Sequence, residues 1–278
     1  MAKPALKRQT DGMTAQTGQQ PVGELLRRWR ERRRLSQLEL ALQAEVSTRH
    51  LSFVETGRSA PSRAMVLHLA EQLDLPLRER NQVLLAAVYA PIYPERTLAD
   101  DTLACVRSLL RTLLAGHKPN PALVVDGVWT LVEANASVAL LTEGAAPALL
   151  EPPVNVLRLS LHPDGVAPRI ANLGEWRAHI LGRLRHQVER TADDRLVHLY
   201  DELRSYPCPD PQSEVELPGP AAVAVPLRLR HPDHELAFLS TTTTFGTPLD
   251  VTVSELAIES FFPADAPTAA LLRAIPAG

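Results

Sequence analysis

The stretch from Ser36 to Arg58, SQLELALQAEVSTRHLSFVETGR, limits what this chain can fold into more than any other. Its spacing describes two short helices joined by a tight turn. Gln37 opens the first helix, and Ala41 is a small residue where two helices must approach closely. Val46 is the lone apolar residue of the turn. Leu51 and Val54, three apart, give the second helix an inward face. Ser47 stands where a side-chain oxygen caps the free N–H groups of that helix. Gly57 follows its end, where a left-handed residue commonly stops a helix. Thr48, Arg49 and Ser52 are then left outward at the front of the second helix.

Polar side chains in that place are the ones that reach base edges when such a helix enters a DNA major groove. For Arg49 the plain alternative is a surface ion pair with Glu45 or Glu55, but arginine bonds guanine bidentately in the major groove, and a base or phosphate contact is favoured. His50 is a weaker candidate that packs near the turn on the plain reading. Phe53 is either a core residue or a contact to a thymine methyl. Arg58 and Arg63 flank the end of the helix as phosphate clamps. Upstream, Val22, Leu25, Leu26 and Trp29 fall at i, i+3, i+4 and i+7, a one-faced helix. Its other faces carry Arg27, Arg28, Arg30, Arg32, Arg33 and Arg34, either a solvated rim or a phosphate-facing one.

Downstream, Met65, Val66, Leu69, Ala70 and Leu73 predict a fourth helix behind a Pro61–Ser62 loop and cap, and Leu77 to about Ala90 a fifth behind Pro76. APIYPER reads as the linker. Beyond it the pattern gives a helix over Asp101–Ala115, short strands over Ala122–Asp126 and Trp129–Glu133 split by an Asp126–Gly127 hairpin, and a small helix near Ser137–Thr142. Helices follow to about Arg190 and over Asp194–Ser205, then a proline-rich loop, YPCPDPQSEVELPGP. Strands are expected at Ala222–Arg230, Glu235–Thr242 and Glu255–Phe262. Two strands, a helical insertion and three strands fit a five-stranded antiparallel sheet with helices over one face.

Within NVLRLSLHPDG, Asn155, Arg158 and His162 stand at i, i+3 and i+7, one face of a short helix. They either tie down a loop by buried hydrogen bonds or form the polar end of a pocket. Arg169, Asn172 and Trp176 repeat that spacing. His231 and His234, three apart in a turn with no third ligand near, read as turn residues and not as a metal site.

The helix-turn-helix stretch is similar to that of the phage-repressor (Xre-type) class. More closely, STRHLSFVETGRSAPSRAMVLHLAEQLDLPLRERNQVLLAAVYAP resembles the MmyB-like regulators, and the resemblance continues through PVNVLRLSLHPDG, RIANLGEWR and FLSTTTTFGTPLDVT, from Pro21 to about Ala264. One departure is Glu45, where the class usually has glycine; it costs a little if the turn needs positive φ. The resemblance implies that Gln37 helps hold the DNA backbone and the recognition helix. It also implies a PAS-like rear domain that cups an apolar, acyl-type ligand between sheet and helices. On that reading Asn155, Arg158 and His162 hold a polar head group, while Arg169, Trp176, Phe238 and Phe245 line the rest.

The expected fold class is therefore α plus α/β and multidomain: a disordered tail over 1–20, an all-α five-helix Xre-type domain over 21–90, a linker over 91–100, and an α+β PAS-like domain over 101–278. Charge follows that division. Residues 21–90 carry 11 Lys/Arg against 8 Asp/Glu, a net +3, and residues from 91 onward carry 15 against 23, a net −8. A basic front and an acidic rear suit a nucleic-acid reader joined to something else. No apolar run approaches the ~18 residues of a membrane span, and the first twenty residues lack the apolar core of a signal peptide. Cys105 and Cys208, far apart, suggest reduced thiols in a cytoplasm.

The expected function is a one-component, non-enzymatic regulator, a cytoplasmic homodimer on a pseudo-palindromic double-stranded operator, with no cofactor, no metal and no membrane partner. A small apolar or acyl ligand in the rear domain modulates it. The alternative is a rear domain that serves only for dimerisation or protein docking. An enzyme carrying a DNA-binding module is a third reading, disfavoured because no nucleophile elbow, phosphate loop or metal cluster is present and Ser160–His162 has no third partner.

Overall fold

In the computed structural model, which describes residues 20–209, 225–232 and 234–274, the front of the chain forms α1 (Val22–Arg32), α2 (Gln37–Gln43), α3 (Thr48–Glu55), α4 (Arg63–Gln72) and α5 (Leu77–Ala86). The expected tail, the larger part of the proline-rich loop, the start of the strand placed at Ala222 and Asp233 of the histidine turn lie outside the described residues. The chain divides into two compact units, one running up to Leu75 and over Arg80–Pro91, the other over Pro76–Glu79 and from Ile92 onward.

Side-chain caps start α2, α3 and α4. Ser36, Ser47 and Ser62 each accept a hydrogen bond from the backbone N–H three residues on, and Ser36 forms a full capping box with Glu39. The same helices, α1 and α5 included, end in a common motif. A residue at positive φ follows each: Arg34, Glu45, Gly57, Asp74 and Val88. The next N–H reaches back to close it, as in Leu35 N to Arg30 O and Val46 N to Ala41 O. Only one of these positions is glycine, so the sequence signals only one of these ends. That is why α5 stops at Ala86 and not near Ala90: Val88 sits at φ 63° and Tyr89 N–H closes on Leu84 O.

Leu26, Trp29, Leu40, Leu51, Val54, Val66, Leu69 and Leu84 make the front core. Gly23 serves close approach: a Cβ there would lie 2.3 Å from the Val54 carbonyl oxygen. One expected surface residue is internal. Arg30 is buried and pairs bidentately with buried Glu55, at 2.7 and 2.9 Å, while donating to Leu35 O. It lies at i+4 from Leu26 and i+8 from Val22, on the flank of the apolar stripe, so helical periodicity carries it inward.

The second unit begins with Pro94–Arg96 pinned in place. Pro94 O accepts from Val251 N–H at 2.8 Å, Arg96 O from the Thr252 hydroxyl at 2.6 Å, and Arg96 pairs with Asp250. Then come α6 (Ala104–Gly116), β1 (Ala122–Val125), β2 (Leu131–Ala134), α7 (Ala139–Thr142), α8 (Val156–Leu161), α9 (Leu173–Thr191), α10 (Asp194–Ser205), β3 (Leu227–Arg230), β4 (Glu235–Thr244), α11 (Val251–Ser254), β5 (Ala257–Pro263) and α12 (Ala266–Ala274). The strands form one antiparallel sheet in the order β2-β1-β5-β4-β3. The first connection is wider than a two-residue hairpin: Asp126 Oδ1 accepts from Val128 and Thr130 N–H, and Trp129 takes positive φ. The last strand starts at Ala257 because Asp250 caps a short helix, α11, just ahead of it.

Alternation along the strands separates two cores. Leu123 and Val125 face a large cluster with Trp176, Ile180, Leu184, Leu203 and Phe238. Ala122 and Val124 face a smaller one with Leu110, Leu114 and Ile258. Both faces of the sheet are therefore covered, with α6 packed opposite the larger group of helices.

Candidate nucleic-acid interface and ligand cavity

The outward front of α3 is set by what holds its back. Leu51 and Val54 are buried, and Glu55 at its C-terminal end receives Arg30 from α1 and the Gln37 amide from α2, the latter at 2.8 Å. Gln37 thus acts within the protein, fixing α2 against the end of α3. Ser47 accepts from His50 N–H at 3.1 Å and caps the helix. Thr48 and Arg49 are exposed, and His50, Ser52 and Phe53 are half-buried. The Arg49 and Arg58 guanidinium carbons stand 5.3 and 5.9 Å from the Phe53 ring centroid, so the ring serves as a platform for both cations. Arg58 and Arg63 are exposed, Arg63 as the first residue of α4. Among the described residues Arg49 forms no ion pair; Glu55, one of its candidate partners, is occupied by Arg30. Within the arginine run, Arg27 pairs with Glu31 and Arg33 donates to Leu73 O and Asp74 O, while Arg28 and Arg34 are exposed.

In the second unit a cavity of about 220 Å³ opens between the sheet and α7, α8 and α9. Its wall is mostly apolar, with Leu123, Leu131, Leu141, Leu157, Ile180 and Phe261 among its residues. Its polar groups are Thr142, Ser160, Arg183 and Glu259, together with the Trp129 and Trp176 indoles. Arg183 on α9 holds Glu259 on β5 through two nitrogens, at 2.7 and 3.2 Å, and donates to Thr242 Oγ1 at 2.8 Å. Thr242, the register partner of Glu259 on β4, donates to the same carboxylate at 2.7 Å. The guanidinium also stacks over Trp129, 5.0 Å from the ring centroid. Trp176 Nε1–H donates to Ser160 Oγ at 3.1 Å, and His179 of the same helix stacks 5.4 Å from the Trp176 ring, its pKa pushed down by burial and by the neighbouring Arg183.

Of the seven sequence-predicted ligand residues, Trp176 lies on the cavity wall and the other six lie elsewhere. Asn155 caps α8, accepting from Arg158 N–H and donating to Val128 O at 2.8 Å. Arg158 clamps Glu202 of α10 at 2.6 and 2.7 Å. His162 ends α8 with its ring edge-on to Tyr206. Of the three, only Arg158 lies within α8, with Asn155 and His162 at its two ends, and Arg158 reaches α10 while Leu157 and Ser160 line the cavity. Arg169 donates to Leu140 O and Glu143 O. Phe238 is fully buried in the larger core, and Phe245 packs on the smaller one, across the sheet.

Thr142, Ser160, Arg183 and Glu259 are polar cavity residues outside the sequence-predicted set, yet Arg183 and Glu259 left a signal. Glu259 falls between Ala257 and Phe261 on the inward face of a strand, and Arg183 follows Trp176 and Ile180 at i+7 and i+3 on one helix face. His231 and His234 lie with ring centroids 5.6 Å apart, and among the described residues no group of three His, Cys, Asp or Glu is placed to hold a metal ion. No helix among the described residues is long and apolar enough to cross a membrane.

A capped, outward-facing recognition helix followed by an α+β domain with a lined cavity defines a DNA-binding transcription regulator with a ligand-binding domain. Residues 21–83 match a helix-turn-helix domain, and residues 106–275 match the MmyB-like transcription regulator ligand binding domain. The chain belongs to the MmyB-like transcription regulators. No curated protein matches the chain.

Proposed function

We propose that this regulator reads a pseudo-palindromic operator as a homodimer, in the cytoplasm, and that a small apolar ligand in the 220 Å³ cavity changes its grip on DNA. Thr48, Arg49 and Ser52 read base edges, His50 and Phe53 support them, and Arg58 and Arg63 hold phosphates. Gln37 and Ser47 fix the start and the angle of that helix. The cavity is the observation that carries the ligand reading. It exceeds the ~150 Å³ apolar cavity that accepts benzene and falls below the ~300–1,000 Å³ of drug-sized pockets, so it suits a small, mainly hydrocarbon molecule. A module used only for docking has no need of such a space in its core. The ligand acts by binding one DNA-competent or incompetent geometry of the dimer better than the other.

The test uses the full chain. Its operator is selected from a random DNA pool, small molecules carried through purification are identified by native mass spectrometry, and operator affinity is measured before and after they are stripped. The expected change is about 5-fold or more. A stripped protein whose operator affinity is the same with and without the recovered molecules would leave the rear domain as a dimerisation or docking module.

A further inference from the structure

The cavity holds a cation, Arg183, which at first sight suits the carboxylate of a fatty acid. The hydrogen bonds point the other way. Glu259 is itself nearly buried, with 5 % of its side chain exposed, and it takes two nitrogens of Arg183. Thr242 donates to the same carboxylate. The pair is neutral as it stands, and among the described residues no other Lys, Arg or His is on the cavity wall. A ligand carboxylate would place a second negative charge beside Glu259. To gain Arg183 it would have to displace Glu259 and leave that carboxylate buried without its cation. The N–H groups that Arg183 has left over can serve a neutral oxygen without this conflict.

The wall also offers a neutral donor. Thr142 Oγ1 already donates to the backbone of α7 and its approach, toward Ala139 O and Val138 O. Ser160 Oγ accepts from Trp176 Nε1–H, and its own hydroxyl hydrogen has no acceptor among the described residues. It points to a place for one ligand oxygen.

Resting on the cavity reading above, we infer that this regulator selects an uncharged ligand: a short hydrocarbon chain bearing a neutral hydrogen-bond acceptor, such as an alcohol, ester or ketone, seated against Ser160, with Glu259 acting as the charge filter that turns carboxylates away. Glu259 is thus a specificity-determining residue, and Arg183 is its counter-ion.

The test is calorimetric titration of the full-length protein at pH about 7.5, where carboxylic acids are ionised, with 1-octanol, methyl octanoate and octanoate. The two neutral probes are expected to saturate one site per chain and to bind about tenfold tighter than octanoate, a difference of ~1.4 kcal/mol. Glu259→Gln, which leaves the Arg183 charge unmatched, is expected to remove or reverse that gap. Ser160→Ala is expected to weaken the neutral probes several-fold. Octanoate binding the wild-type protein as tightly as octanol would overturn the inference and leave the cavity reading standing. An unchanged preference in a folded Glu259→Gln protein would overturn it as well. If none of the three probes binds, the cavity reading itself fails and the inference goes with it. The wild-type comparison decides even if the Glu259 variant does not fold.

Discussion

Arg49 and Arg58 share one ring, yet the function proposed above gives them different work. Arg49 rises from the first turn of α3, the part of a recognition helix that meets base edges, whereas Arg58 follows the helix end, where phosphates run. Arg49→Ala should cost ~1–3 kcal/mol on the specific operator and relax sequence choice at one position. Arg58→Ala should weaken all sequences alike and lower the salt dependence of binding by about one charge. Fluorescence anisotropy on specific and scrambled duplexes across a salt series separates the two. A uniform loss for Arg49→Ala would reassign that residue to the backbone. A second residue-scale test concerns Arg158. Its hydrogen bonds, with those of Tyr206, hold the Glu202 carboxylate below its ordinary value, while the Tyr206 phenol is pushed up to about 12 by burial and by Glu202. A carboxylate depressed in the folded state adds stability above its unfolded pKa, ~4.3, and loses it as pH falls through the lower folded value. The pair is more than a third exposed, so Arg158→Ala should cost only about 0.5–1 kcal/mol at neutral pH. Thermal melts of wild type and variant should converge as pH falls below the ordinary carboxylate range, with binding of a cavity ligand unchanged, since Arg158 faces α10. These residues also show what sequence can carry. Thr48, Arg49 and the Ser47 cap were legible because helical spacing fixes their face. Whether Arg158 turned to a cavity or to another helix was not, because Glu202 lies 44 residues on from it and only the fold brings the two together.

At the scale of elements, α2, α3 and α4 are started by serines suited to the task, whereas four of the five front helices are stopped by residues that are not. Arg34, Glu45, Asp74 and Val88 occupy left-handed φ that costs an L-residue ~1–2 kcal/mol. Glycine removes that strain but adds ~0.5–1 kcal/mol of unfolded-chain freedom. The balance favours glycine, most of all at β-branched Val88, which is 92 % exposed and has little packing to lose. Glu45→Gly and Val88→Gly should therefore each raise stability by about 0.5–1 kcal/mol in urea unfolding; a lower midpoint for either would mean that its side chain does something the backbone does not show. The same fact explains the uneven legibility of the helix boundaries. Starts were readable at Ser47 and Ser62, whose short oxygens have few other uses just before a helix. The end of α5 was not, because a valine in this conformation gives no sequence sign. The strands behaved similarly: runs of β-type residues located β1, β4 and β5, but the pattern does not mark α11, the short helix that Asp250 caps ahead of β5.

For the whole molecule, the proposed function requires that a small cavity be coupled to a reading surface. A ligand can do so only through a difference in affinity between two geometries of the assembly. If the protein works as a dimer, each copy presents one α3, and the two must meet successive major grooves on one side of the duplex, about 34 Å apart. That sets a strict condition on the DNA. Half-sites separated by one turn, about 10–10.5 base pairs centre to centre, should be bound together. Adding about 5 base pairs should carry one half-site to the opposite face and reduce affinity to that of a single half-site, while adding a full turn should restore part of it. The neutral ligand should change affinity for the correctly spaced operator and leave single half-sites untouched, because one α3 on one half-site does not sense the geometry of the pair. If the ligand shifts half-site binding just as much, the coupling runs within one chain, and the dimer is not the element that the cavity controls.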